Sequence, residues 1–187
     1  MTEQELIKLL RGRDEEAFRW LVEEYRNKVF ATILNITQNR EDAEDAAQEV
    51  FIKVYESIAD FKEQSSLSTW IFRIAVHKAI DKTRKRKRIA RLHSIIPWWM
   101  PEEGKPVGEN FHHPGLIMEQ KEKAAVLFKA IEGLPEKQRV AFTLIRIQGM
   151  SYEETSVLLD QSIKAIESLI SRAKINLQKA LNQFYIR

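Results

Sequence analysis

The side chains with the most evident chemistry in this sequence are charged, and they are sorted along the chain. From Arg73 to Arg91 stand nine bases (Arg73, Lys78, Lys82, Arg84, Lys85, Arg86, Lys87, Arg88 and Arg91) against Asp81 alone, a balance of +8. Arg84 to Arg88 are five consecutive cations. From Glu41 to Asp60 seven acids (Glu41, Asp42, Glu44, Asp45, Glu49, Glu56 and Asp60) face only Lys53, a balance of −6. Adjacent like charges repel one another, and a nucleic-acid backbone offsets that cost by releasing its counterions. A membrane surface would also attract them, but an interfacial anchor needs a large apolar face, which this stretch lacks. The acidic segment would repel DNA and suits a basic protein surface. A solvated helix face, with acids near its positive N-terminal end, explains that segment equally well.

Composition excludes most other chemistry. The 187 residues include no cysteine, so a disulfide scaffold, a thiolate zinc site and a cysteine nucleophile are ruled out. Four histidines are present, His77, His93, His112 and His113, and the adjacent pair has poor metal-ligand spacing. No glycine-rich phosphate loop, serine nucleophile elbow or HExxH helix occurs. No catalysis, metal or cofactor is therefore expected. There is no apolar run of about 18 residues for a membrane span. The opening Met1-Thr2-Glu3-Gln4-Glu5 is acidic, unlike a secretory leader, which makes the cytoplasm the expected compartment. The overall charge of +3 is mostly the cancellation of the two opposed blocks.

These residues must be carried by helices. Hydrophobic residues make up 44% of the chain, enough for a packed core, and no alternating strand pattern or hairpin dipeptide is present. Residues 14–92 contain neither glycine nor proline, whereas Pro97, Pro101, Gly104, Pro106, Gly108, Pro114 and Gly115 crowd into one stretch. That shift predicts an all-α chain of two small helical domains, 1–92 and 118–187, with a linker at 93–117. Apolar stripes run through Phe18, Leu21, Val22, Tyr25, Val29 and Phe30, then Ala47, Val50, Phe51, Val54, Ile58 and Phe61. A third follows through Leu67, Trp70, Ile71, Ile74, Ala75 and Ala79. Ser65, Ser66 and Ser68 offer N-caps for this third helix. Gly133 ends a helix of about 118–132. Pro135 opens the next, which runs to about Gln148 and stops at Gly149.

Residues 152–172 fit a helix-turn-helix. Ser151 and Glu154 make a capping box, and Ser156 is the small residue where the helices cross. Asp160 takes the turn position where glycine is usual, and Ile166 locks the second helix. Leu158, Leu159, Ile163, Leu169 and Ile170 complete the predicted core. The second helix then exposes Ser162, Lys164, Ala165, Glu167, Ser168, Ser171, Arg172 and Lys174 toward base edges and phosphates. An ordinary αα-hairpin is the alternative for this segment on its own.

Together these segments resemble a known family. Asp42-Ala-Glu-Asp-Ala-Ala-Gln-Glu-Val-Phe51, Phe61, Ser68-Thr-Trp-Ile-Phe-Arg-Ile-Ala75 and Asp81 with the basic run look like region 2 of the extracytoplasmic-function sigma factors. Leu134-Pro-Glu-Lys-Gln-Arg139, Gly149-Met-Ser-Tyr-Glu-Glu154 and Lys164-Ala-Ile-Glu-Ser-Leu-Ile-Ser-Arg-Ala173 look like their region 4. The resemblance implies a chain that binds bacterial core RNA polymerase and directs it to promoters. Asp42, Asp45, Gln48, Glu49, Ile52 and Lys53 would dock on the clamp of the largest polymerase subunit. Phe61, Lys62, Ser65, Ser66, Thr69, Trp70, Phe72, Arg73, His77, Arg84 and Lys85 would open and read the minus-ten element as a single strand. For that task aromatics offer stacking surfaces, hydroxyls and imidazole meet base edges, and cations meet phosphates. Trp70 also lies on the core stripe, where packing is expected to claim it. The helix-turn-helix would read the minus-thirty-five element as duplex, and the same domain would touch the polymerase flap. An anti-sigma factor is a further implied partner, one that would hold the chain at the inner membrane. No small-molecule substrate is implied.

The sequence departs from the family pattern at several points. His77 stands where asparagine is frequent, Ser156 and Asp160 replace commoner alanine and glycine, and the linker carries Trp98-Trp99-Met100. An ordinary helix-turn-helix activator is the rival function, but it has no need of the acidic 41–56 face or the 61–85 segment. A pure protein adaptor leaves Arg84–Arg88 unexplained.

Overall fold

The computed structural model describes residues 2–95 and 118–185, and every regular element among them is helical. Trp98, Trp99 and Met100 and the rest of the expected linker core lie outside the described residues. Helices α1 (Glu3–Arg11), α2 (Glu15–Thr37), α3 (Arg40–Ser57) and α4 (Leu67–Ile95) make the N-terminal half. Each starts on a side chain that satisfies otherwise unpartnered N–H groups. Thr2 and Glu5 form a reciprocal box, and Asp14 Oδ1 accepts from Ala17 N at 2.8 Å. Asn39 Oδ1 accepts from Asp42 N at 2.7 Å, and Ser66 Oγ from Thr69 N at 3.1 Å. The serine cluster therefore does cap the third predicted stripe, through Ser66.

Helices α2, α3 and α4 pack as a three-helix bundle, with α1 and a 3-10 turn at Ile58–Asp60 across one end. Leu21, Val29, Ile33, Ile36, Val50, Val54, Ile71 and Val76 are fully buried between them. Leu21, Val29, Val50, Val54 and Ile71 lie on the stripes that the three- and four-residue spacing marks, and Ile33, Ile36 and Val76 join them. Burying each contributes roughly 1.5–3 kcal/mol relative to exposure.

The C-terminal half comprises α5 (Met118–Glu132), α6 (Glu136–Phe142), α7 (Tyr152–Leu159) and α8 (Ile163–Tyr185). Helix α6 widens into a π turn over Thr143–Ile147 before stopping at Gly149, whose φ of +72° suits glycine. The single helix predicted from Pro135 to Gln148 is thus continuous but not uniform. This half has two apolar clusters of its own. Ala130, Ile131, Leu134, Ala173 and Leu177 form one, and Ala141, Ile145, Ile166 and Ile170 the other. A third set, Val140, Leu144, Met150 and Leu158, joins the core of the N-terminal half instead.

The helix-turn-helix has the predicted stereochemistry. Ser151 and Glu154 form a capping box, and Ile166 is fully buried. Asp160 is left-handed at φ 51°, and Ser156 Oγ donates to Gln161 O at 2.6 Å across the turn. Ile163 differs from expectation, being 40% exposed. It is the first residue of α8, and side chains lean toward a helix N-terminus, so it points past the end of the core. Asp160→Gly is expected to raise stability by roughly 0.5–1 kcal/mol, because glycine removes the steric cost of the left-handed turn. Urea unfolding with an unchanged slope would measure it. A loss of stability would mean that the aspartate side chain, not the backbone angle, sets the turn.

Candidate nucleic-acid and partner interfaces

The acidic and basic blocks meet along the α3–α4 contact. Lys78 Nζ lies 2.7 Å from Glu49 Oε2. Lys82 Nζ lies 3.1 Å from Glu49 Oε1 and 3.5 Å from Asp45 Oδ2. Arg86 Nη1 donates to Asp42 Oδ2 at 2.7 Å, and its Nη2 to Thr37 O at 2.6 Å. Lys78, Lys82 and Arg86 are four residues apart, so they lie on one face of α4. Asp42, Asp45 and Glu49 present the matching face of α3. The sequence shows two blocks aimed at two partners, but in the folded chain three acids and three bases face each other.

The hydrogen bond from Lys78 is the main cause holding the Glu49 carboxyl below its ordinary value, opposed by burial and reinforced by Lys82. For Lys82 burial is the largest single influence and pulls its pKa down. The carboxylates of Glu49 and Asp45 together outweigh it, and the pKa ends raised. A depressed carboxylate contributes stability above its unfolded pKa of about 4.3 and loses it as pH falls through the folded value. Glu49→Gln is therefore expected to cost under about 1 kcal/mol at pH 7, since the pair is partly exposed. The difference from the parent should diminish at a pH well below the ordinary carboxylate value. Chemical unfolding at both pH values checks this, and a pH-independent difference would refute the ion-pair origin.

Helix α3 leaves the acids Glu41, Glu44, Asp45 and Glu56 exposed. Gln48, Ile52 and Lys53 are exposed, Ile52 by 59%. One turn on, Tyr55 is also exposed, with Phe18 against its ring at 5.1 Å and the Arg13 guanidinium 5.2 Å from its centroid. Neither Arg13 nor Tyr55 stands out in the sequence pattern. The one available signal is that Tyr55 comes three residues after Ile52, off the buried stripe.

The segment before α4 divides differently from expectation. Phe61 and Phe72 are each 5% exposed and Thr69 3%, so none of the three presents a face to a base in this arrangement. Trp70 is half-buried with its ring 5.0 Å from Phe61, packing as its place on the core stripe implied. Thr69 is occupied locally, its Oγ1 2.8 Å from Ser66 Oγ. Lys62, His77, Arg84 and Lys85 are exposed, and Ser65, Ser66 and Arg73 partly so. The corner at 61–63 is pinned from α1: Arg11 Nη2 donates to Phe61 O at 2.6 Å, and its Nη1 lies 2.8 Å from Glu63. Arg11 is another residue that sequence spacing did not reveal, because its partners lie fifty residues away.

On α8, Ser162 Oγ accepts from Ala165 N at 3.2 Å and caps the second helix of the helix-turn-helix. Lys164, Glu167, Ser168, Ser171, Arg172 and Lys174 share its exposed surface, while Ala165 is half-buried. Arg172 lies back along the helix, its Nη2 3.0 Å from Ser168 Oγ and its Nε 3.2 Å from Ser168 O. Beneath this unit the buried Arg139 donates to Glu132 O at 2.8 Å, tying the end of α5 to α6. Burial lowers its pKa from the usual guanidinium value. Among the described residues no group of acids and histidines is placed to hold a metal ion. No described helix is long and apolar enough to cross a membrane.

The chain matches two family descriptions in order: Sigma-70 region 2 over residues 21–89 and Sigma-70, region 4 over residues 124–177. It is 30% identical over 180 residues to the RNA polymerase sigma-H factor of Pseudomonas aeruginosa, covering 96% of this chain and 93% of that one. It is 33% identical over 177 residues to the ECF RNA polymerase sigma-E factor of Haemophilus influenzae, covering 93% and 92%. Among solved structures it is similar to the sigma factor RpoE in complex with the anti-sigma factor NepR from Bartonella quintana. That likeness has a TM-score of 0.70 and 25% identity over 88% of this chain and 96% of that one. The chain belongs to the extracytoplasmic-function sigma factors, the initiation factors that direct RNA polymerase to promoters.

Proposed function

We propose that this sigma factor divides its work between its two helical halves, 1–92 and 118–187, joined by the linker 93–117. The exposed part of α3, Gln48, Ile52 and Lys53 with Asp45 beside them, docks on a basic surface of core polymerase. Lys62, Ser65, Ser66, Arg73, His77, Arg84 and Lys85 form the surface for the separated minus-ten strand. The exposed residues of α8 meet duplex at the minus-thirty-five element. The observation that carries this reading is the ordered pair of region matches, each falling on a half whose exposed chemistry suits its role. A single strand needs cations and polar groups before a helix end, and a duplex needs a helix that enters the major groove. The chain itself supplies recognition, and RNA synthesis stays with the polymerase. The related RpoE structure contains an anti-sigma factor, which supports a partner of that kind here. The proposed compartment is the cytoplasm, where the polymerase works.

The deciding experiment adds the purified chain to core RNA polymerase on genomic DNA and sequences the transcripts started. Defined start sites preceded by two spaced elements are expected. Binding to DNA without binding to core would instead support a helix-turn-helix activator.

A further inference from the structure

The loop between the 3-10 turn and α4 is held at both ends by one short helix. At its start, Arg11 Nη2 donates to the Phe61 carbonyl at 2.6 Å, and Arg11 Nη1 lies 2.8 Å from Glu63 Oε1. At its end, Leu67 N donates to Glu3 Oε1 at 3.2 Å. Both anchors stand on α1, about 12 Å apart at 1.5 Å per residue. That helix is itself fixed, because Leu6, Ile7 and Leu10 are buried in one core cluster with Ile58, Phe61 and Leu67.

Between the anchors the loop has little of its own to keep its shape. Among the described residues no main-chain hydrogen bond holds Lys62, Glu63, Gln64 or Ser65. Glu63 is left-handed at φ 55°, a conformation that a residue with a Cβ disfavours. Such a residue persists where its surroundings hold it, and the ion pair with Arg11 does so. Lys62 and Gln64 are exposed beside it, and Ser65 partly so.

We infer that α1 is a brace for base recognition, with Arg11 and Glu3 as positioning residues that present Gln64 and Ser65 to an unstacked base in one arrangement. This rests on the proposal that the loop meets the separated minus-ten strand. A carboxamide and a hydroxyl each donate to and accept from a base edge, so their chemistry alone tolerates several bases. Discrimination comes from where those groups are held. A loose loop would adapt to the wrong base, and it would lose ordering entropy each time it bound. Arg11 and Glu3 act through the loop's main chain and Glu63, without touching the strand themselves.

The test uses holoenzyme assembled from core polymerase and the full-length chain. The minus-ten element of one promoter, located by its transcript start, is randomised, and the templates transcribed are sequenced. Gln64→Ala and Ser65→Ala should weaken base preference at one position, which marks the base the loop reads. Arg11→Ala should flatten the preference at that same position about fivefold, with the other positions and the minus-thirty-five element within about twofold of the parent. Glu3→Ala should act in the same direction. Arg11→Lys keeps the charge but lacks the fork that reaches both the Phe61 carbonyl and Glu63, so it should fall between parent and alanine. A merely structural loss would lower transcription from all templates alike, without changing which base is chosen. If Arg11→Ala loses helicity, Glu63→Gln decides, because it removes only a partly exposed ion pair. An unchanged preference in the deciding variant, or an even loss across all positions, overturns the brace. If Gln64→Ala and Ser65→Ala leave every preference unchanged, the loop does not read the strand, and that proposal falls together with the inference. If they change one position and the α1 variants do not, the reading of the strand stands and the brace alone falls.

Discussion

Ile52→Glu is expected to weaken binding to core polymerase by about thirtyfold or more, the loss of roughly 2 kcal/mol that marks an interface anchor. Ile52 is 59% exposed on α3 and contributes nothing to the bundle, so helicity and duplex DNA binding should be unchanged. It stands on the same exposed face as Gln48 and Lys53 and one turn from Tyr55. An apolar side chain ringed by polar ones in this way gains most when a partner excludes water around it. Charge reversal at Asp45 and Glu49 is a less clean test. Those acids also hold Lys82 and Lys78, so reversing them disturbs α4 as well as the docking face. Titration of labelled chain with core enzyme measures the effect. A change under twofold would remove this face of α3 from the interface.

The second large effect concerns salt. Arg84→Ala with Lys85→Ala should reduce promoter opening by the assembled holoenzyme at least tenfold at physiological salt. It should also flatten the slope of log affinity against log salt by about 1.4, or about 0.7 for each single-strand phosphate left without its cation. The side chain of Arg84 is 67% exposed despite its pairing with Glu136, and Lys85 is exposed too. Measuring opening in the holoenzyme, where both elements are engaged, separates weaker phosphate binding from loosening of the free chain. Weaker opening with an unaltered slope would mean that these residues act on protein groups instead.

Much of the fold could be read from local chemistry. The capping box at Ser151, the stop at Gly149 and the left-handed turn at Asp160 all follow from residue type and neighbours, and the structure has each of them. Apolar spacing likewise marks Leu21, Val50, Ile71 and Ile166 as core. What was hidden depends on contacts distant in sequence. Phe61 and Phe72 suit either stacking on bases or packing in a core, and only the closed bundle shows that packing takes them. The pairing of Lys78, Lys82 and Arg86 with Glu49, Asp45 and Asp42 was written in the matching spacings, yet a charge count over each segment concealed it. Contact between the halves had no local signature, because Val140, Leu144, Met150 and Leu158 are apolar residues that any helical domain contains.

Arg86 gives the run Arg84–Arg88 a consequence beyond its total charge. One guanidinium spans two acceptors, the Thr37 carbonyl at the end of α2 and the Asp42 carboxylate at the start of α3. It closes the corner where Gln38 turns left-handed between those helices. A lysine would conserve the charge but lack the planar fork that reaches both at once. The middle member of the run is therefore a joint, while its neighbours Lys85, Lys87 and Arg88 stand exposed. In α4 a step of one residue along the sequence moves a cation from fastening the protein to facing solvent.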